Sequence, residues 1–385
     1  MGVVILSAAR TAIGKFGGMF RAASCLDLSV PCARAALERS GLKAESVERC
    51  AWGNAVQAGA GQNLARQIAL SSGLPLSSTA LTVNQVCASG MAAVRIAASE
   101  ILLGASDAAL AGGAESMSLA PFYLQARWGK KYGSFDAQDG LEKDGLSDAF
   151  SGLPMGITAE NVAEKFSVSR REQDLFALWS QKKALAARER GDFEEEIVPV
   201  RSGGEERVLD ESVRETSLDK LSSLKPAFKE GGTVTAGNSS PISDGAAALV
   251  LASDSFARSL GLRPLARIDC FAQVGTDPAT MGYAPKMAME KLAEKGRFSL
   301  KNVDLFEINE AFASQSVAVI RDLGIEEEKV NVNGGAIALG HPLGCSGARI
   351  LVTLIYALKN RGLETGIASL CVGGGMGVAM KVSLA

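Results

Sequence analysis

Sliding the 385-residue sequence against itself uncovers an internal duplication, and no other feature narrows the fold as far. Asn84-Gln-Val-Cys-Ala-Ser-Gly-Met-Ala-Ala-Val-Arg-Ile96 lies on His341-Pro-Leu-Gly-Cys-Ser-Gly-Ala-Arg-Ile-Leu-Val-Thr353, with Ser89-Gly90 on Ser346-Gly347. Trp52-Gly-Asn-Ala-Val-Gln57 falls on Ile308-Asn-Glu-Ala-Phe-Ala313 within a residue or so. After small shifts Ala108-Ala-Leu-Ala-Gly-Gly113 meets Ala368-Ser-Leu-Cys-Val-Gly-Gly-Gly375, and Gly245-Ala-Ala-Ala-Leu-Val-Leu251 meets Gly377-Val-Ala-Met-Lys-Val382. The openings of the halves, at Val3 and Ala266, match in character. Each half alternates short apolar runs with longer helical segments, the pattern of a mostly parallel sheet covered by helices, so the fold class is α/β.

The helices that follow Cys87 and His341 are apolar nearly all round and belong at the centre. Ser346 is expected to open the second, with Lys359 and Arg361 in its last turn and Gly362 as a left-handed stop. Between about Ser118 and Ser243 the composition shifts toward charge, Gly, Ser and Asp, which reads as an inserted lid or loop domain. There Ser169-Arg-Arg-Glu172 is a capping box for a helix through Trp179 to about Arg188, and the stretch from Glu196 reads as a short strand and turn. The expected division is 1–118 plus 244–263, 119–243 and 264–385.

With 47% hydrophobic residues the chain can bury more than one core. Its 40 basic and 42 acidic residues are dispersed, so no basic face for nucleic acid is expected and the partner should be a small molecule. No apolar run is long enough to span a bilayer and no export signal is visible, which makes the cytoplasm the expected compartment. Seven scattered cysteines with one histidine form neither a disulfide framework nor a zinc site, and no metal is expected.

That one histidine, His341, sits in the glycine-rich run Asn333 to Arg349. An imidazole is the one unperturbed side chain that titrates near neutrality, and its loop glycines suit close ligand approach. Read as structure alone, it is a hydrogen-bonded loop residue. Its counterpart in the first half is Cys87, at a helix N-terminus where the dipole is expected to lower the thiol pKa. Cys371 ends a strand and enters Val372-Gly-Gly-Gly-Met-Gly377, whose amides suit a developing oxyanion. Its structural reading is a buried strand residue.

These blocks resemble the thiolases, the family of acetyl-coenzyme A acetyltransferases and 3-ketoacyl-coenzyme A thiolases. The resemblance runs end to end and rests on Asn84-Gln-Val-Cys-Ala-Ser-Gly90, Asn309-Glu-Ala-Phe-Ala313, the run Asn333 to Arg349, and Cys371-Val-Gly-Gly-Gly-Met-Gly377. It implies duplicated mixed-sheet halves around central helices, with an inserted coenzyme A-binding loop domain. It implies reversible Claisen condensation of two acetyl-coenzyme A to acetoacetyl-coenzyme A and coenzyme A through an acyl-cysteine. Cys87 would then be the nucleophile, His341 its base, and Cys371 the acid/base at the alpha carbon. One oxyanion hole would come from His341 and a water held by Asn309, the other from the N–H groups of Cys87 and Gly373.

By the same resemblance Leu146, Met155, Arg214, Phe228, Ala236, Ser240 and Ile242, with Ala311 and Phe312, would bind coenzyme A, and no cofactor would be held permanently. The loop Arg127-Trp-Gly-Lys-Lys-Tyr-Gly133 is similar to the cationic loop that pairs dimers into a homotetramer, although as a bare charge cluster it reads as a solvated loop. Short-chain biosynthetic members commonly carry His-Met-Gly where this chain has Pro154-Met155-Gly156. The alternatives are a broader 3-ketoacyl-coenzyme A thiolase of fatty-acid breakdown, a non-catalytic acyl-coenzyme A binder on the same fold, and a cysteine hydrolase that would leave Cys371 without a role. A two-histidine ketoacyl synthase does not fit a chain with one histidine.

Overall fold

A computed structural model describes residues 2–385. The duplication carries through to the backbone strand by strand. The first half contains β1 (Val3–Thr11), β2 (Arg49–Gly53), β3 (Thr79–Val83), β4 (Ala108–Ser116) and β5 (Ser243–Ser253). The second contains β6 (Ala266–Gly275), β7 (Leu305–Ile308), β8 (Thr365–Val372) and β9 (Met376–Leu384). They form the path β7-β8-β9-β6-β1-β5-β4-β2-β3, and the short strands Gly14–Lys15 and Ile197–Val198 complete an 11-stranded sheet. Outward from the centre, β1-β5-β4-β2-β3 and β6-β9-β8-β7 follow the same order. A parallel bridge from Phe306 to Val330 takes the place of β3 in the second half. β1 and β6 pair antiparallel, Val3 opposite Ile268, and join the halves about a local twofold.

The sheet is mixed rather than mostly parallel. Only β2/β3, β2/β4 and β7/β8 run parallel along this path, whereas β1/β5, β5/β4, β6/β9 and β8/β9 are antiparallel. The cause is local at β8 and β9. Gly374 and Gly375, with φ of 87° and 82°, return the chain in a tight hairpin, and a connection that short can only reverse the strand.

Two central helices, α3 (Ser89–Leu102) and α8 (Leu343–Arg361), pack together on one face of the sheet, and α1 (Cys25–Ser40) and α2 (Leu64–Ser71) of the first half cover its other face. Every residue of α8 from Leu343 to Leu358 is buried. The helix starts at Leu343, three residues before the expected Ser346, with Pro342 at its N-cap, and it stops at left-handed Gly362 as its sequence predicts. Met91, Val94 and Ile101 of α3 pack with Ile350, Leu351 and Leu354 of α8 and with Ile5, Leu249 and Met380 of the strands.

At the crossing the backbones touch. A Cβ on Gly90 would stand 2.7 Å from the Ala348 nitrogen, and one on Gly347 would stand 2.4 Å from the Met91 nitrogen. These are equivalent positions of the duplication, so each helix offers its glycine to the other.

The insertion carries α4 (Met155–Lys165) and α5 (Arg170–Arg190), the latter opened by the expected Ser169/Glu172 capping box and ended at Gly191. Arg10 of β1 reaches across to it. Its buried guanidinium binds Glu196 at 2.6 Å and Asp210 at 2.8 Å. The second half is covered by α6 (Ala284–Gly296) and α7 (Ala313–Leu323). Among the described residues no helix is long and apolar enough to cross a membrane.

In an open helix Gly→Ala is stabilising by about 0.5–1 kcal/mol. At Gly347 the added methyl meets backbone, which cannot swing away, so Gly347→Ala should instead destabilise by about 1–3 kcal/mol. Urea denaturation measures this directly, and an unchanged or raised midpoint would mean that the helices do not touch there.

Candidate active site

The crossing of α3 and α8 brings their N-terminal loops to one place. Cys87 sits in the 3-10 turn Val86–Ala88 that links β3 to α3. It is buried in a cluster with Ala55, Val56, Met117, Leu141 and Leu343, the last only two residues beyond His341. Burial pushes its thiol up to about 11, although the N–H groups of Gly373 and of Cys87 itself are aimed at the sulfur and oppose the rise. The lowered value expected from the helix terminus is therefore not found. A helix end contributes at most about 1–2 kcal/mol, and removing a thiolate from water costs more.

Cys371, at the end of β8, has no exposed surface and packs with Met281, Ala311, Met155 and Phe312. Burial, and then the neighbouring Cys87, raise its thiol well above the ordinary value. The two thiols thus lie near enough for one to act on the other. Gly373 lies beside Cys87 in the β8–β9 hairpin, with Val86 and Met155 packed beside its Cα.

His341 is buried, and its hydrogen bonds decide its tautomer. Nδ1 lies 2.6 Å from Ser346 Oγ, and the single Ser346 hydroxyl proton is donated to the Pro342 carbonyl at 2.9 Å. Nδ1 must therefore carry the ring proton, which leaves Nε2 as a lone pair. Asn309 Nδ2 approaches that lone pair at 3.4 Å. Burial, followed by the positive charge of Arg349, lowers the imidazole to about 3, so it is neutral. Asn309 Oδ1 is buried with no hydrogen-bond partner among the described residues, an acceptor left open beside the ring.

Two carboxylates hold these loops. Glu115 of β4 accepts from Asn54 Nδ2 at 2.6 Å and from the N–H groups of Ala55 at 2.9 Å, Val56 at 3.2 Å and Gly344 at 2.8 Å, which ties the loop after β2 to the start of α8. Burial raises it to about 7 against the pull of those donors. Glu310 accepts from Ser180 Oγ at 2.6 Å, Asn331 Nδ2 at 2.8 Å and Ile337 N–H at 3.1 Å, and so anchors the stretch before His341. Sequence reasoning missed Ser346, Glu115 and Glu310 as supports. A lone carboxylate in the otherwise small and apolar strand Ala108–Ser116 was the visible signal for Glu115.

The residues expected to bind coenzyme A divide. Leu146 and Ile242 pack against the Cys87 cluster, and Met155, Ala311 and Phe312 against Cys371. The Phe228 ring meets Phe312 edge-on at 6.2 Å, and Ser240 donates through both N–H and Oγ to the Ala311 carbonyl at 3.0 Å. Phe228, Ser240, Ala311, Phe312 and Met155 make a wall up to Cys371, and Leu146 and Ile242 lie separately beside Cys87. Arg214 and Ala236 are exposed on the insertion, Arg214 held by Gln181 and Ser212 rather than by any reactive residue.

The family models that match are the thiolase N-terminal domain, over residues 3–255, and the thiolase C-terminal domain, over residues 262–384. Acetyl-CoA acetyltransferases of Rhizobium meliloti and Cupriavidus necator are each 49% identical over 99% of this chain and 98% of their own. Among solved structures, an acetyl-CoA acetyltransferase from Bacillus anthracis superposes with a TM-score of 0.97 at 45% identity, covering 100% of this chain and 99% of that one. Human mitochondrial 3-ketoacyl-CoA thiolase in complex with CoA also gives 0.97, at 41% identity, covering 100% and 98%.

The raised Cys87 value has a kinetic signature. Alkylation requires the thiolate, and with a pKa of about 11 the thiolate fraction rises roughly tenfold per pH unit up to that point. Iodoacetamide modification of substrate-free Cys87, followed by peptide mass mapping, should climb from pH 7 to 10 without a plateau. A plateau near pH 8 would show that burial does not dominate.

Proposed function

The chain belongs to the thiolase family, and on that premise we propose that it condenses two acetyl-coenzyme A molecules to acetoacetyl-coenzyme A and coenzyme A, and runs the reverse thiolysis. The observation that carries this reading is the nearness of Cys87 and Cys371, close enough for the first to raise the second, with two N–H groups aimed at the first sulfur. One thiol carries the acyl group and the other moves the proton.

In the first step His341 Nε2, the unprotonated nitrogen, accepts the Cys87 proton as the sulfur attacks the thioester carbonyl. The departing coenzyme A takes the Cys371 proton and leaves as a thiol, so that acetyl-Cys87, a Cys371 thiolate and a His341 protonated at Nε2 remain. Transfer between thiols of similar leaving ability keeps both directions open. In the second step Cys371 removes an alpha proton from the second acetyl-coenzyme A. Its enolate oxygen is held by the His341 and Asn309 side of the pocket. The carbanion attacks acetyl-Cys87, whose oxyanion is received by the N–H groups of Cys87 and Gly373, and the Cys87 sulfur leaves and recovers its proton from His341 Nε2. A donor of this kind typically lowers the barrier by roughly 3–4 kcal/mol.

The wall from Phe228 through Phe312 to Met155 supports a pantetheine channel, with Arg214 and Ala236 assigned to the outer, nucleotide end. The division into 1–118 plus 244–263, 119–243 and 264–385 is supported by β5 pairing back onto β1 and β4 after the insertion. Seven unpaired cysteines favour a reducing compartment, and we assign the enzyme to cytoplasmic acyl-coenzyme A and fatty acid metabolism. A broader ketoacyl range is the second reading, favoured by Pro154 in place of the histidine common in short-chain members. Turnover against ketoacyl chain length separates the two.

The assembly assigned here is a dimer of dimers. Edge strand β3 leaves its outer ladder unpaired, with Leu81 exposed beside it, which supports pairing with a second copy. On the 127–133 loop Trp128 is 95% exposed and Tyr132 is 92% exposed, aromatic surface that suits burial between dimers.

Two outcomes follow. Cys371→Ala should still accept an acetyl group on Cys87 from acetyl-coenzyme A, while condensation falls by at least about 100-fold. Rapid-quench mass mapping reads the first and steady-state assay the second, and a Cys371→Ala enzyme that condenses at the parent rate removes the two-thiol mechanism. Light scattering should return the mass of four chains; a dimer would discard the role of the 127–133 loop, and a monomer would discard both contacts.

A further inference from the structure

Five non-glycine residues, Asn63, Val86, Ser167, Arg297 and Asn331, have left-handed backbone among those described. Asparagine tolerates that region, and Ser167 and Arg297 lie at helix ends. Val86 is the one β-branched residue of the five, with φ of 48°, a conformation that its two γ-methyl groups oppose. It directly precedes Cys87.

Neighbouring side chains hold it there. Asn84 Oδ1 accepts from Val86 N–H at 2.9 Å. Ser89 Oγ donates to the Val86 carbonyl at 2.6 Å and accepts from Gln85 N–H at 2.9 Å. The duplication places Ser89 opposite Ser346, the hydroxyl that orients His341, so one serine at the start of each central helix governs the reactive loop before it. The Val86 side chain in turn packs on Gly373, where a Cβ would lie 3.4 Å from Val86 Cγ1. Gly373 is the residue whose N–H is aimed at the Cys87 sulfur.

We propose that Val86 is a positioning residue, held in left-handed backbone by Asn84 and Ser89 so that Cys87 and the Gly373 N–H are kept in register for acyl transfer. This rests on Cys87 being the acyl acceptor. The turn stores strain that the two side-chain clamps and the Gly373 contact maintain. With the clamps removed, the turn has no reason to keep its shape.

Val86→Gly and Val86→Ala both remove the valine side chain, but only glycine accepts the left-handed backbone freely. In relaxed backbone alanine is the more stable of the two, whereas at a positive φ the order reverses. Val86→Gly should therefore melt above Val86→Ala. Both variants lose the packing on Gly373 and should transfer acetyl to Cys87 about tenfold or more slowly than the parent at saturating acetyl-coenzyme A, with the half-saturating concentration unchanged, as expected for displacement of the reacting atoms rather than lost binding. Ser89→Ala, which removes the clamp and leaves Val86 in place, should show the same slowing. Rapid-quench acylation with mass mapping of the Cys87 peptide, together with thermal melts, reads all three. A Val86→Gly enzyme that melts below Val86→Ala, or Val86 variants or a Ser89→Ala enzyme that acylate at the parental rate, overturn the proposal. If the parent enzyme carries its label elsewhere, the functional reading itself has failed, and the positioning role falls with it.

Discussion

The architecture depends on one contact, the meeting of backbones where α3 and α8 cross at Gly90 and Gly347. A Cβ at either position would meet backbone at 2.7 or 2.4 Å, so the helices, and the N-terminal loops they carry, would have to move apart. Those loops hold Cys87 and His341. Close packing of peptide against peptide is thus what turns two distant stretches of sequence into one pocket, and the surrounding Leu, Ile and Val side chains fill the space left by a geometry already decided at the glycines. Glu115 then ties the loop after β2 to the first turn of α8, so the pocket is closed by hydrogen bonds as well as by packing.

The pocket keeps its reactive groups uncharged. Cys87 is raised to about 11 and His341 lowered to about 3, both chiefly by burial, so a neutral thiol faces a neutral imidazole. An ion pair in this apolar setting would bear the desolvation cost of both partners. Instead the polarity is built from fixed dipoles, the N–H groups of Gly373 and Cys87 and the amide of Asn309, which are in place before any charge develops.

Much of this was legible in the sequence because repetition and motif are one-dimensional signals. The duplication marked the two halves and their central helices, and the glycine-rich blocks pointed to Cys87, His341 and Cys371. What stayed hidden depends on backbone direction or on long-range contact. The antiparallel return at Gly374 and Gly375 is a matter of φ, and the same holds for the strained turn at Val86. Ser346 read as a helix start because its bond to His341 exists only once the loop is folded. The expected acidity of Cys87 was misjudged because a helix terminus is visible in sequence and the depth of burial is not. Arg214 and Ala236, transferred by resemblance, lie apart from the wall up to Cys371 and from the two positions beside Cys87.

The long insertion also has a consequence for how the chain reaches this state. β1 is flanked by β5 and β6, so Val3 waits for Ser253 and Ile268 before either of its edges is paired. β1 emerges from the ribosome before its long partners β5 and β6, which follow only after the whole insertion; the insertion itself supplies just Ile197–Val198, paired to Arg10 and Thr11. Until then an apolar strand with two open ladders must be kept from pairing with other chains, and the sequence separation of its partners predicts slow, late closure of the first half. The order of events is therefore inverted with respect to the chain: the first strand made is among the last to be enclosed.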